Sequence, residues 1–248
     1  MSFIREFTAR FLQSWLERFR SHHGLIGTSH QTSVQIEPSV WNRATDTRLL
    51  LHVGCGHSTI ENIGLVGFLS SKWREIRLDA DESVVPDLVG TMTEMPSVPT
   101  EAVDAIFSSH GIEHLYWHDV PRTLAEFRRV LADDGFLVIT CPDLQAAAQM
   151  IAEDRLFDTA YISPAGPITP FDMVYSYRPF VEANPEWMSH HCGFTLSTLM
   201  AVLREAGFAK IQGFRGSYGL WVLASKSPRS ADEMTALAAD YLLPIGLG

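Results

Sequence analysis

A glycine turn and an acidic residue stand where two neighbouring strands of the predicted sheet end. Gly54 and Gly56 follow the apolar run Leu49–Val53, and Asp79 follows the run Glu75–Leu78. A glycine turn after a buried parallel strand lets a ligand approach the backbone, and the next helix offers free N–H groups at its start. A carboxylate at the end of the second strand is placed to bind a ribose diol. Together these residues predict a binding site for a ligand that carries a ribose.

Histidines form a second group of candidate functional residues. His110, His114 and His118 recur at intervals of four, and His190 follows much later in the chain. On a continuous helix, four-residue spacing would place the first three imidazoles on one face, where they could bind a metal together with His190. Gly111 weakens a helix at this point, and loose histidine spacing alone seldom marks a metal site. We therefore predict no metal.

We assign His110, His114 and His190 instead to acid–base or orienting work near a substrate. Imidazole titrates near neutral pH, so it can take a proton from a hydroxyl nucleophile. The alternative is that each is a structural histidine that bonds a backbone carbonyl. The same two roles are open to Glu113 and to Asp143, which follows a predicted strand.

Strands and helices alternate from residue 48 onward, and this alternation predicts how the candidate residues are positioned. Short apolar runs are typical of buried parallel strands. The pattern predicts an α/β fold with a mostly parallel, doubly wound sheet and right-handed crossovers, its last two strands pairing antiparallel. Further strands are predicted at Val103–Ser108, Phe136–Thr140, Lys210–Phe214 and Leu220–Ser225, and helices at Pro121–Leu131, Leu144–Ala152 and Leu196–Ala206.

Two segments outside this alternation have a distinct composition. Residues 2–20 carry aromatic side chains at helical spacing, which predicts an N-terminal amphipathic helix. This helix would cover the cleft or join a homodimer, or else touch a membrane surface.

Residues 155–194 are rich in Pro, Tyr and Phe and too long for an ordinary connection, which predicts a cap over a substrate pocket. The predicted division is an N-terminal segment 1–45, a core 46–154, the cap 155–194, the rest of the core 195–227 and a tail 228–248.

The composition disfavours several classes of function. The 248 residues carry a formal net charge of −10, and the basic residues are scattered, so no face for nucleic acid is expected. The sequence has no apolar run long enough for stable membrane insertion and no visible secretory signal. Three isolated cysteines predict neither a disulfide framework nor a zinc pair. We expect a cytoplasmic protein.

A series of segments between residues 48 and 225 follows the order of a known set of motifs. Leu49–Ser58 is similar to the first motif, Ile76–Asp81 to a ribose-binding motif and Asp87–Pro96 to an adenine-contacting segment. The later segments are Val103–His110, Arg128–Phe136 and Phe194–Phe208. In this order the chain resembles the class I, Rossmann-like S-adenosylmethionine (SAM)-dependent methyltransferases, in particular their type 11 members.

The resemblance implies a seven-stranded, mostly parallel, doubly wound sheet and the transfer of a methyl group from SAM to a small-molecule acceptor by in-line displacement. Asp79 would then bind the ribose hydroxyls, Thr91 and Met92 would flank the adenine, and the end of the fourth strand would face the sulfonium. The implied cofactor-binding residues are Gly54, Gly56, Asp79, Thr91, Met92 and Ser109.

Two departures from the family pattern leave other functions open. Many members have an acidic residue where this chain has His52, and Asp where it has Thr91. Both changes remove a polar contact to the cofactor, which is compatible with a non-catalytic, methyltransferase-like binding or regulatory subunit. A metal-assisted methyltransferase is a further alternative. So is an NAD(P)-dependent oxidoreductase, although its motif has a third glycine where Thr59 stands.

Overall fold

A seven-stranded sheet organises the computed structural model of the chain, which describes residue 41 and residues 46–63, 65–163, 165–216 and 218–242. The strand order is β3-β2-β1-β4-β5-β9-β8, and a separate hairpin is formed by β6 and β7. In chain order the strands are β1 (Arg48–Val53), β2 (Trp73–Asp79), β3 (Leu88–Val89), β4 (Val103–Ser109), β5 (Leu131–Pro142), β6 (Tyr161–Ser163), β7 (Gly166–Ile168), β8 (Lys210–Gly216) and β9 (Gly219–Ser225).

Helices lie on both faces of the sheet, and several begin at a side chain that caps their first turn. Asp143 accepts hydrogen bonds from two backbone N–H groups at the start of α3, and Thr195 and Ser230 close capping boxes at α7 and α8. The helices are α1 (Ile60–Ile63), α2 (Val120–Val130), α3 (Leu144–Ala152), α4 (Pro170–Tyr175), α5 (Arg178–Ala183), α6 (Pro185–Met188), α7 (Leu196–Glu205) and α8 (Ala231–Tyr241).

The core follows from the alternation of side chains along fully buried strands. In β1, Leu49 and Leu51 face a cluster that includes Phe127 of α2. Leu50 points to the opposite face and packs in a cluster with Met234 of α8. Burial of both faces explains why the strands read as continuous apolar runs, and it confirms the predicted doubly wound class.

The parallel and antiparallel pairings agree with the sequence. Strands β1, β2, β3, β4 and β5 pair parallel to their neighbours, and β9 pairs antiparallel to both β5 and β8. The two-residue strand β3 was not predicted. The predicted N-terminal helix and the last six residues lie outside the described residues, so the homodimer stays a prediction, as does the cytoplasmic location. None of the helices in the described ranges is long and apolar enough to cross a membrane.

Within the segment predicted as a cap, the hairpin β6–β7 is followed by the three short helices α4, α5 and α6. One buried carboxylate joins the first two helices. Asp172 accepts hydrogen bonds from the backbone and hydroxyl of Thr169 at 3.0 and 2.6 Å, which closes the capping box of α4. Its other oxygen accepts from the Arg178 guanidinium at 2.9 Å, at the start of α5. Burial opposes its charge, but these hydrogen bonds hold the pKa of Asp172 below the ordinary value of 3.8.

We expect Asp172→Ala to loosen the cap while the sheet stays folded. Loss of the carboxylate leaves the donors of Thr169 and Arg178 without their acceptor, at a cost of about 1–3 kcal/mol. Because the folded-state pKa of Asp172 is lowered, its contribution is present above pH 3.8 and is lost as the pH falls through that lowered pKa. Hydrogen exchange should rise across residues 161–183, and not in β4 or β5.

Asp158→Asn is the matched control, because this acidic side chain is 60% exposed and pairs only with exposed Arg155 among the ion pairs of the described residues. Unchanged exchange across residues 161–183 in Asp172→Ala would contradict the role given to Asp172.

Candidate active site

A cavity of about 600 Å³ opens at the carboxyl ends of β1, β2 and β4. These three strands are neighbours and run parallel, so residues that follow them meet at one edge of the sheet. Gly54 and Gly56 line the cavity after β1, Asp79 lines it at the end of β2, and Ser109 at the end of β4. The structure thus brings together the residues that the sequence assigned to the cofactor.

The glycine turn has a backbone conformation that excludes other residues without strain. Gly54 and Gly56 have φ angles of +65° and +52°, in the left-handed region. A Cβ at Gly54 would lie 3.4 Å from the terminal methyl group of Met92, which lines the same cavity. The Arg77 guanidinium fixes the turn, since it donates to the carbonyl oxygens of Gly56 and Ser58 at 2.5 and 3.0 Å.

Asp79 connects this turn to the second strand. One carboxylate oxygen accepts a hydrogen bond from the Gly56 N–H at 2.7 Å, and the other accepts from the Asp81 N–H at 3.0 Å. A carboxylate has about four lone-pair positions, so both oxygens can also accept a ribose hydroxyl. Asp79 therefore positions the turn and fits a ribose diol.

The residues predicted beside the adenine line the same end of the cavity. Thr91 and Met92 follow β3, with Leu78 and Val84 supplying apolar surface nearby. The Thr91 hydroxyl lies 2.9 Å from that of Thr93. A wall of this kind suits a flat heterocycle with a polar rim, which is what the resemblance predicts for the adenine.

His52 does not line the cavity. Its side chain is fully buried, packs on Phe107 with ring centroids 5.2 Å apart, and places Nδ1 2.8 Å from a Glu75 carboxylate oxygen. The other Glu75 oxygen accepts from the Ile60 N–H at the start of α1. His52, which replaces the acidic residue common in the family, therefore lies beneath the glycine turn and is not part of the cavity wall.

The histidines are arranged differently from a helical stack. A 3₁₀ turn spans Ile112–His114 and another spans Trp117–Asp119. His118 is 79% exposed and lies outside the cavity lining, whereas His110 and His114 line the cavity. The one-face arrangement of the three imidazoles is therefore absent, because the segment after β4 is not a continuous helix.

His114 and His190 meet on the cavity wall, 76 positions apart in sequence. Their ring centroids are 4.8 Å apart. Nδ1 of His114 donates to the Ser189 carbonyl oxygen at 3.0 Å, and Nδ1 of His190 donates to that of Met173 at 3.1 Å. Both therefore make the backbone bond of a structural histidine, yet each keeps an Nε2 lone pair for chemistry. Burial lowers the pKa of His190 to about 4, so it is neutral at physiological pH.

Glu113, a candidate whose role the sequence left open, lies next to His110 and His190. It is 1% exposed, and one carboxylate oxygen accepts from Nδ1 of His110 at 3.1 Å. Burial raises the pKa of Glu113, but the His110 hydrogen bond and the charges of His110, His190 and His114 bring it to about 2. Its carboxylate is therefore ionised. In the sequence, only its position between His110 and His114 could have indicated a functional role for Glu113.

Asp143, the other acidic candidate, serves the fold. Its carboxylate caps α3 through the N–H groups of Gln145 and Ala146, and it also accepts from the Arg215 guanidinium at 2.6 Å. The side chain is buried and lies outside the cavity lining.

Aromatic residues of the predicted cap cover the end of the cavity that contains the histidines. Tyr177, Phe180 and Trp187 line it from the side of α4, α5 and α6. Tyr116 stacks on His191 with ring centroids 4.2 Å apart and an interplanar angle of 17°. The residues predicted to bind the cofactor and the aromatic residues therefore line one continuous cavity.

Comparison with known proteins gives one match to a family model and several similar folds. A family model described as a methyltransferase domain matches residues 66–139. The fold is similar to that of the citrinin polyketide synthase CMeT domain, with a TM-score of 0.50 and 13% identity over 74% of this chain and 47% of that one. The chain thus spans about half the length of that structure. A comparison with curated proteins gave no match.

Two more solved structures share this likeness. One is a SAM-dependent methyltransferase from Thermotoga maritima, described as a possible histamine N-methyltransferase (TM-score 0.47, 14% identity, 88% of this chain, 91% of that one). The other is the 1,6-didemethyltoxoflavin-N1-methyltransferase of Burkholderia thailandensis with bound S-adenosylhomocysteine (0.44, 15%, 74% and 73%). The methyltransferase-domain match over residues 66–139 and the order of the sheet strands agree with the fold that the resemblance in sequence implies.

We expect Asp79→Ala to weaken the binding of S-adenosylhomocysteine by about 10- to 100-fold, because hydrogen bonds to a charged group contribute about 1.5–3 kcal/mol. The same change releases the Gly56 N–H, which loosens the turn. Isothermal titration calorimetry measures the affinity. Glu82→Gln is the control, since Glu82 is exposed, three positions away and outside the cavity lining. Equal affinities in the two variants would show that Asp79 does not bind the ribose.

Proposed function

We propose that the chain methylates a small, neutral or cationic molecule that carries a hydroxyl or amine nucleophile. The observation that carries this proposal is the continuity of the cavity between the cofactor residues and the imidazoles beneath the aromatic side chains. A volume of about 600 Å³ is in the range of small-ligand pockets. An acceptor beneath the aromatic residues would lie beside the end of β4, where the resemblance places the sulfonium.

The charge of the cavity wall favours the proposed acceptor class. Asp81, Asp172 and Glu186 line the cavity in addition to Asp79, and among the described lining residues there is no Lys or Arg. A phosphate or carboxylate on the acceptor would lie among like charges without a partner, at a cost in binding free energy. The formal net charge of −10 also repels an anionic acceptor at longer distances.

His110 is placed to remove the proton of the acceptor. Its Nδ1–H bonds Glu113, so Nε2 carries the lone pair, and its half-exposed side chain lines the cavity. The ionised Glu113 keeps the ring in this tautomer and stabilises the imidazolium formed when Nε2 accepts the proton. SAM, when bound at the glycine turn, supplies an electrophilic methyl group on a sulfonium. The rest of the work is positional, because a displacement requires the nucleophile to be held in line.

An acceptor screen tests the substrate class. Purified protein and SAM are incubated with phenol, catechol, tyramine or tryptamine, and with benzoate and phenyl phosphate as anionic counterparts. Mass spectrometry measures S-adenosylhomocysteine and the methylated product. We expect turnover within the neutral and cationic set. Turnover confined to the anionic compounds, or to transfer RNA or protein added instead, would overturn the proposal.

We expect His110→Gln to lower kcat by about 100-fold or more with the best acceptor, the usual effect of losing a general base. Binding of S-adenosylhomocysteine should stay unchanged, because the cofactor end of the cavity is untouched. His118→Gln is the matched control on the same segment, with a side chain 79% exposed and outside the cavity lining. Equal kcat in the two variants would remove His110 from the reaction.

A further inference from the structure

Three side chains converge at the acceptor end of the cavity with the composition of a metal site. Glu113 and His114 come from the 3₁₀ turn after β4, and His190 comes from the segment after α6. One ligand atom from each lies within 4.8 Å of the other two. The sequence disfavoured a metal because its spaced histidines required a helix, but the set that the structure assembles differs from that one.

The hydrogen bonds around the two histidines are those that metal-binding imidazoles make. Nδ1 of His114 and Nδ1 of His190 each donate to a backbone carbonyl oxygen, at 3.0 and 3.1 Å. A ligating imidazole almost always donates its other N–H to a carbonyl or carboxylate, which fixes the ring and directs the free nitrogen. Ligating carboxylates are also hydrogen-bonded, as Glu113 is by His110 at 3.1 Å.

An unsatisfied atom gives independent support. Oε2 of Glu113 is buried and accepts no hydrogen bond from any residue in the described part of the chain. The residue is 1% exposed, and a carboxylate oxygen without a hydrogen-bond partner at such depth is costly. The nearby imidazoles do not supply donors to it, because the protons on Nδ1 of His114 and His190 are directed to backbone carbonyls. A cation between the three side chains would satisfy this oxygen.

We propose that Glu113, His114 and His190 bind a divalent first-row transition-metal cation, with Zn²⁺ as the reference ion. Two imidazole nitrogens and one carboxylate form a ligand set that suits Zn²⁺ or Fe²⁺ and leaves a coordination position open. Mg²⁺ and Ca²⁺ prefer oxygen ligands and should bind poorly. Since His114 and His190 line the cavity, the open position faces the acceptor end. If the proposed function holds, the acceptor oxygen or nitrogen occupies that position.

Metal binding is measured without any methyl acceptor, so its outcome does not depend on the proposed function. Tag-free protein is treated with chelator, dialysed and titrated with Zn²⁺ and Mg²⁺ by calorimetry, and with Co²⁺ by visible absorption. We expect one Zn²⁺ and one Co²⁺ per chain, a Co²⁺ spectrum with nitrogen and oxygen ligation, and no Mg²⁺ binding. Glu113→Gln and His190→Asn should each weaken Zn²⁺ binding by at least about 100-fold, more than loss of an outer-shell partner.

His118→Asn is the control variant and should bind Zn²⁺ like the unchanged chain, because this imidazole is 79% exposed and apart from the cluster. Binding of S-adenosylhomocysteine reports that each variant is folded, and His114→Asn replaces any variant that is not. Absence of Zn²⁺ and Co²⁺ binding overturns the proposal. So does binding that survives both Glu113→Gln and His190→Asn, which would place the ion on other histidines. Metal binding without methyl transfer to any acceptor would leave this site intact and contradict only the proposed function.

Discussion

A carboxylate removed from water needs hydrogen-bond donors or a cation around it, and at Glu113 that requirement shapes the site. The side chain is 1% exposed, and one oxygen is satisfied by His110, the residue that follows β4. His110 itself has a φ of +52°, unusual for a residue with a side chain, and its N–H bonds the Thr140 carbonyl oxygen of β5. The strained backbone directs the imidazole toward the buried charge, so strand end, imidazole and carboxylate form one unit.

The backbone of Glu113 extends this unit to the segment beyond the predicted cap. Its carbonyl oxygen accepts hydrogen bonds from the N–H groups of His191 and Cys192 at 2.9 and 3.1 Å. The next residues continue the attachment, since Phe194 bridges to Asp143 and its carbonyl oxygen accepts from the N–H of Leu144. The end of the cavity that contains His114 and His190 is therefore assembled from two segments fixed to each other through backbone hydrogen bonds. A change in the 3₁₀ turn after β4 would move both walls together.

The sequence predicted the sheet well, because buried strands and amphipathic helices leave periodic patterns. It also placed Asp79 and the glycine turn at one edge, since parallel strands bring their ends together. It could not place the imidazole cluster, because the partners of His114 lie 75 and 76 positions away and no local pattern encodes that distance. The helices α4, α5 and α6, at four to six residues, are too short for a 3.6-residue period to be recognised.

Residues at the strand ends of this chain hold the backbone as well as line the cavity. This double role helps to interpret the two departures from the family pattern, His52 and Thr91. The Asp79 carboxylate accepts the Gly56 N–H at 2.7 Å, so the residue predicted to bind the ribose also holds the glycine turn. His52 lies below that turn, where its bond to Glu75 connects β1 to the start of α1. The departure at Thr91 leaves a hydroxyl on the cavity wall. Neither change opens the glycine turn, which favours a retained cofactor site over a lost one.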